Sequence, residues 1–433
     1  MVRPVYFGSV MRRAAEAVAG ASAVGSVLVI RDIAGRVCFA IDRARADCRG
    51  LEEELDSRSR ELGAYAGKPP VVCRDDFFEP DQIFKSPAIL EFAVPETSLS
   101  VRVLERQVTG QDWLNPNHAA PPRVPRIVFY GLKGGVGRST ALAMLAYLLA
   151  RNGRRVLVID LDLESPGLSG LLLPRARRAE FGVTDWLIED GVGQSGPVLQ
   201  DIVASSPLSD NLRQQIRIAA AMGSDTGAYL DKLSRVYADV AGKPNPDHFG
   251  DRIKRLVHAL EEAESPDAVL IDSRAGMHDL AAVSVTSVAS TALLFATGSP
   301  PGWQGYRSLF AHWQSRPSVA RMVRERLKMV SALFPESNQA ARAHTFLEQS
   351  YSLFLDTLYD EDRSGSIDTG LFTFGMDDSD APHYPLRIKW NSRFQEFDPL
   401  QIPLGLFDDD EIRGTFGQFS DGVEQLIQAG GSD

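Results

Sequence analysis

The stretch Arg126-Ile-Val-Phe-Tyr-Gly-Leu-Lys133-Gly134-Gly135-Val136-Gly137-Arg138-Ser139-Thr140 decides how the chain is read. Ile127 to Tyr130 is a short apolar run of β-formers, which predicts a buried strand. Glycines follow. From Ser139 to Arg151 the leucines Leu142, Leu145, Leu148 and Leu149 recur near helical spacing, and Gly153 supplies a stop. A strand, a glycine loop and a helix in that order form a phosphate cradle. Glycines let backbone N–H groups converge on an anion, and the helix N-terminus adds its partial positive charge.

Against the common G-x-x-x-x-G-K-[ST] pattern, Leu132 stands at the first glycine and Arg138 at the lysine. The closer match is K-G-G-x-G-K-[ST], here Lys133-Gly-Gly-Val-Gly-Arg138-Ser139. The chain thus resembles the ParA/MinD family of P-loop ATPases with their deviant Walker A motif, as a variant with Arg138 at the usual phosphate lysine.

Two further segments agree with it in order. Arg155-Val-Leu-Val-Ile-Asp160-Leu-Asp162 is a second buried strand ending in acids, and Asp267-Ala-Val-Leu-Ile-Asp272-Ser-Arg274-Ala-Gly276 is a third. The resemblance implies a D-x-D switch I at Asp160 and Asp162, with Asp162 near the attacking water. It implies a Walker B carboxylate at Asp272 on a magnesium-bound water, and a γ-phosphate-sensing N–H at Gly276 in switch II. Backbone N–H groups from Gly134 through Gly135, Val136, Gly137, Arg138 and Ser139 to Thr140 are expected around the phosphates. Ser139, Asp160 and Asp272 are expected at magnesium, and Lys133 is expected to reach a partner subunit's nucleotide. Arg274 stands where the family commonly has proline, and a surface role is favoured for it. The family's adenine-binding Asn at the end of a later strand has no clear counterpart. The nearest is Asn338, beyond Pro335, which leaves the base open.

At 433 residues the chain has room for two or three domains, and its formal net charge of −11 disfavours a mainly electrostatic nucleic-acid binder. Cys38, Cys48 and Cys73 lack metal spacing and read as free thiols of a reducing cytosol. Arg12-Arg13 before an Ala/Gly/Val stretch superficially resembles a leader. Glu16 interrupts that stretch and a strand-like Val27 to Ile30 follows, so a cytoplasmic protein is expected, without a membrane anchor.

Residues 1–122 read as a mixed α/β domain without assignable chemistry. It has a helix over Ser9 to Ala19, a hairpin of Val27–Ile30 and Val37–Ile41, a charged helix from Ala44 to Tyr65, and strands at Pro70–Cys73 and Val101–Val108. Trp113 reads as a core residue at a turn rather than a docking surface. The Pro-rich Asn115–Pro125 is expected to link this domain to an ATPase domain over 123–433. The latter is expected to be a mostly parallel, helix-flanked P-loop sheet with further strands at Ile216–Met222, Thr291–Thr297 and Met329–Phe334, and a helix at Asp251–Glu264. A basic helix from Arg321 to Lys328 offers weak support for DNA binding, a solvated face being the commoner meaning. The C-terminal segment from Glu411 lacks a basic membrane-binding face.

The expected function is an ATP- and magnesium-dependent switch. It forms a nucleotide-driven homodimer, hydrolyses ATP slowly and controls an unidentified partner protein, with the N-terminal domain as one candidate for the contact. A non-hydrolysing nucleotide sensor or scaffold, as in a defence or partition system, is the alternative, since arginine and lysine differ at a tight site. A small-molecule enzyme of the same fold class lacks any substrate motif here.

Overall fold

The computed structural model describes residues 4–115, 122–240, 247–360, 370–394, 398–400 and 408–430. Most of the Pro-rich stretch expected as a linker, residues 116–121, lies outside them. The chain forms two compact units, residues 1–115 with 309–322, and residues 116–308 with 323–433. Nothing in the sequence marks 309–322 as part of the first.

The first unit holds a five-stranded sheet in the order β3-β2-β1-β5-β4, formed by β1 (Val27–Arg31), β2 (Val37–Ile41), β3 (Ala66–Cys73), β4 (Ile89–Ala93) and β5 (Ser100–Glu105). The hairpin of β1 and β2 turns where Asp32 Oδ1 accepts the N–H groups of Ala34 and Arg36 and Gly35 takes φ +82°. The helix Phe7–Gly20 buries Val10, Met11, Ala14, Ala17 and Val18, a helical stripe facing the core. This packed stripe is the segment that superficially resembled a leader.

The charged helix expected over Ala44–Tyr65 is shorter. It spans Arg49–Ser59 between 3₁₀ turns, and Gly63 at φ +57° breaks the continuation. The edge strand β4 was not expected; its side chains are only partly buried, so its apolar pattern is weak. Trp113 is buried, its ring centroid 5.9 Å from that of Trp313, whose indole Nε1 donates to the Trp113 carbonyl at 3.0 Å. It is a core residue.

The second unit is built on eight strands: β6 (Arg126–Gly131), β7 (Val156–Leu161), β8 (Val203–Ser205), β9 (Ile216–Ala219), β10 (Ala268–Ser273), β11 (Thr291–Ala296), β12 (Leu327–Phe334) and β13 (Leu386–Lys389). Their order is β13-β12-β11-β6-β10-β7-β9-β8, parallel except for the β8–β9 pair. Near-continuous aliphatic runs in β6, β7 and β10 are buried on both faces, as parallel strands under flanking helices require. The helices Arg138–Arg151 and Phe249–Glu264 match the expected ones within a few residues. The C-terminal helix Asp409–Gly430 buries Ile412, Phe416, Phe419, Val423 and Ile427, and Phe419 packs 6.2 Å from both Phe129 and Phe295. Its apolar face belongs to the core.

The basic helix expected from Arg321 to Lys328 does not form. The helix Pro317–Arg324 ends first, and Lys328 lies inside β12. Arg324 pairs with Asp360, Arg326 donates to the Thr286 carbonyl, and Lys328 donates to the carbonyls of Ser379 and Ala381. Three of the four cations thus serve internal contacts, and only Arg321 is exposed. Among the described residues no helix is long and apolar enough to cross a membrane.

Candidate functional site

Parallel pairing puts the carboxyl ends of β6, β7 and β10 along one edge, with Asp272 in register with both Asp160 and Phe129. The glycine loop after β6, the acids after β7 and the segment after β10 therefore converge, although more than a hundred residues separate the first from the last. The crevice at the carboxyl ends of such strands is where open α/β sheets bind ligands.

The loop is shaped by two positive φ angles, +74° at Gly135 and +79° at Gly137, which side-chain-bearing residues rarely adopt. A Cβ on Gly134 or Gly135 would meet open space, so the loop faces a free concavity. At Gly137, the residue before the helix Arg138–Arg151, a Cβ would lie 3.3 Å from Leu333 Cδ2. Val136 packs partly against the core and anchors the loop from below. Lys133 is exposed and has no ion pair among the described residues.

Ser139 Oγ donates to Asp272 Oδ2 at 2.8 Å, joining the first helical turn to the end of β10. Asp160 is fully buried and its Oδ1 accepts the Asp162 N–H at 3.0 Å. Arg138 turns its guanidinium inward: Nη1 donates to the Ser273 carbonyl at 2.6 Å and Nη2 lies 3.8 Å from Asp162 Oδ2. Its side chain is 8% exposed, and its charge acts on Asp162 and Asp272. Gly276 is tied to β6 on both sides. Its N–H donates to the Gly131 carbonyl at 3.0 Å, and its own carbonyl accepts from the Tyr130 hydroxyl at 3.1 Å.

Burial pushes the Asp272 carboxyl up to about 6, against the opposing pull of Arg138 and the Ser139 hydroxyl. Asp160 is raised well above the usual carboxylate range by burial and then by Asp272; Asp162 is raised by burial, against Arg138 and Arg274. Asp160 Oδ2, Asp162 Oδ1 and Asp272 Oδ1 are buried oxygens without a hydrogen-bond partner. The Asp272 carboxylate beside the Ser139 hydroxyl is the kind of oxygen pair that could contribute to holding a hard divalent cation such as magnesium. Among the described residues no group of three or more His, Cys, Asp or Glu is placed to hold a metal ion by itself. Magnesium is usually held by one or two carboxylates with substrate phosphates and water, so an open arrangement suits it.

Residues 127–291 match the family model described as the CobQ/CobB/MinD/ParA nucleotide binding domain. This region carries the nucleotide-binding domain that the family model describes. Over 61 residues the chain is 48% identical to the chromosome-partitioning ATPase Soj of Thermus thermophilus, a stretch covering 14% of this chain and 23% of that protein. Among solved structures, pNOB8 ParA bound to nonspecific DNA is 17% identical with a TM-score of 0.43, covering 71% of this chain and 99% of its own. The cell-division ATPase MinD of Pyrococcus furiosus is 16% identical with a TM-score of 0.43, covering 70% and 99%.

Around the nucleotide-binding domain the structure brings in residues that no motif announced. A cleft of about 380 Å³ opens from the glycine loop and is lined on its other side by Leu333, Lys389, Trp390, Asn391, Phe394 and Phe416. Asn391, after β13, stands here; its amide donates to Glu411 and Thr415, and its Oδ1 accepts the Arg393 N–H. Asn338 instead precedes the helix Gln339–Leu355 in a left-handed conformation, and it is not among the residues lining the cleft. Arg274 also differs from expectation: it pairs with Glu164, which accepts from the Tyr237 hydroxyl and lies 3.4 Å from His278 Nε2. This bonded group joins the segments after β7 and β10. Only the Lys-Trp-Asn run at a strand end could have hinted at the cleft wall, and it has no fixed spacing from the glycine loop.

Proposed function

We propose that this protein is an ATP- and magnesium-dependent molecular switch, cytoplasmic, that dimerises on nucleotide and hydrolyses it slowly. The observation that carries the proposal is the Ser139–Asp272 hydrogen bond beneath an open glycine cradle, with unpartnered oxygens on Asp160, Asp162 and Asp272 around it.

In this reading the N–H groups from Gly134 to Thr140 bind the phosphate chain, helped by the positive end of the helix. Ser139 and Asp272 hold magnesium, with Asp160 supporting from behind. Bound magnesium would neutralise phosphate charge and polarise the transferring phosphoryl group. Asp162 accepts a hydrogen bond from the attacking water and orients it. Gly276 exchanges its Gly131 partner for the γ-phosphate, which makes the segment after β10 nucleotide-sensitive. Trp390 and Asn391 line the cleft and are the residues this reading assigns to the base. Lys133, exposed on the loop and without an ion pair among the described residues, would meet a second copy's phosphates.

Support for a nucleotide also comes from the family match. Titration of the full chain with ATP, with and without magnesium, tests the reading together with light scattering and phosphate release. Magnesium-dependent binding, a doubling of mass and turnover below about 1 s⁻¹, the low end of ordinary enzyme rates, are expected. Absence of nucleotide binding would remove it.

A second reading rests on Arg138. Its guanidinium sits on Ser273 and beside Asp162, the residue assigned to the water. If that contact persists with ATP bound, Asp162 is held away from its role and the protein is a non-hydrolysing sensor. Single-turnover measurements separate the two, because a sensor binds ATP and dimerises without releasing phosphate.

A further inference from the structure

A second concavity, of about 450 Å³, lies beside the cleft just described and shares Lys389 and Thr415 with it. Arg387 and Lys389 of β13 and Arg413 of the C-terminal helix line it, with Gln339, Thr415 and Gln418. No acidic residue does, although the chain as a whole carries a formal charge of −11. Among the described residues none of the three cations has an ion pair, and the buried Nε of Arg387 has no hydrogen-bond partner. The Arg387 guanidinium is held 5.7 Å from the centroid of the Phe334 ring, which also lines the cavity. The helix Gln339–Leu355 presents its first turn there without a side-chain cap, so its unsatisfied N–H groups add positive potential.

Two elements thus bring three like charges to one cavity, beside the positive end of a third, an arrangement that favours an anion. The volume is that of a small-molecule site, commonly about 300–1,000 Å³. Duplex DNA would instead call for cations spread along a surface to meet successive phosphates. We propose that Arg387, Lys389 and Arg413 form a second binding site for a small molecule bearing two or more phosphate charges, separate from the glycine loop. Through Lys389 and Thr415 its occupant touches the wall of the nucleotide cleft, so the two sites are placed to influence each other.

Calorimetric titration of the full chain with inorganic pyrophosphate tests this. The glycine loop is disabled by Arg138→Ala in one protein and the new site by Arg387→Gln/Arg413→Gln in another. The proposal expects Arg138→Ala to retain one pyrophosphate site. It expects the double variant to lose that site by at least about tenfold, equivalent to about 1.4 kcal/mol, while still binding ATP. Arg413→Gln alone, at an exposed position, should weaken pyrophosphate about threefold even if the double variant does not fold. Unchanged pyrophosphate affinity in these variants, or no binding at all by Arg138→Ala, overturns the proposal. So does salt-sensitive capture of a short DNA duplex through these residues without any pyrophosphate site. Failure of ATP to bind wild type would count against the switch and leave this site standing.

Discussion

Arg138 Nη1 donates a 2.6 Å hydrogen bond to the backbone carbonyl of Ser273. That bond joins the first residue of the P-loop helix to the last residue of β10 and places a permanent positive charge beside Asp162 and Asp272. A lysine has a single ammonium head, whereas the guanidinium fork can face the carbonyl and Asp162 together.

Arg138→Ala is therefore expected to act twice. Nucleotide affinity should fall at least about tenfold, near the value of one charge-assisted hydrogen bond. The folded protein should also lose about 1–3 kcal/mol at neutral pH, because a buried charged contact is left unmade. ATP titration and urea denaturation read the two effects separately. Unchanged ATP affinity would remove Arg138 from the phosphate site.

Asp162→Ala is expected to bind ATP and accumulate as the dimer without turnover, since it removes the water's acceptor and no phosphate contact. Asp272→Ala should lose the magnesium dependence of binding as well, because its carboxylate is bonded to Ser139. Equal phosphate release by wild type and Asp162→Ala would eliminate that residue from the chemistry.

Lys133→Ala should keep monomeric nucleotide binding and lose ATP-dependent dimerisation and hydrolysis. Lys133 is exposed on the loop, whereas the Arg138 guanidinium is buried against Ser273 and Asp162 of its own chain. A charged contact across an interface costs roughly 2–5 kcal/mol when one partner is truncated. Light scattering with ATP and magnesium checks this, and a variant that dimerises like wild type would refute it.

His312 predicts a pH dependence in the first unit. Burial, then Arg316 and Arg31, lower its pKa from 6.5 to about 4, and Glu105 bonds both arginines. The unfolded chain therefore takes up the proton first as pH falls. The histidine's contribution is fully present above about pH 6.5 and is lost as pH falls toward 4, on the order of 3 kcal/mol in all. Urea denaturation at pH 7.5 and pH 4.5 should show a smaller acid loss for His312→Gln than for wild type. Equal losses would show that His312 titrates alike in both states.

The sequence by itself determined the nucleotide-binding core. The runs Ile127–Tyr130, Arg155–Asp160 and Asp267–Asp272 are short, apolar and rich in β-formers, and each is a buried strand. Glycine at 135 and 137 is required by positive φ, and Ser139, Asp160, Asp162 and Asp272 stand at strand or helix ends. Such signals are local: hydrophobic period, backbone freedom and a carboxylate at a fixed distance from a strand terminus can each be read within a dozen residues.

Tertiary structure decided what those local signals leave free. It turned Arg138 inward onto Ser273, tied the Gly276 N–H to Gly131, and set Arg274 on Glu164. It converted Arg324 and Lys328 from an apparent basic helix into buried donors, because the helix ends at Arg324 and β12 must cross the core. It also assembled the cleft wall of Trp390, Asn391 and Phe416, and the cationic cavity of Arg387, Lys389 and Arg413, from β13 and the C-terminal helix. These depend on which strands become neighbours and where long side chains find partners. That pairing is fixed by burial across the whole sheet, and no short stretch of sequence carries it.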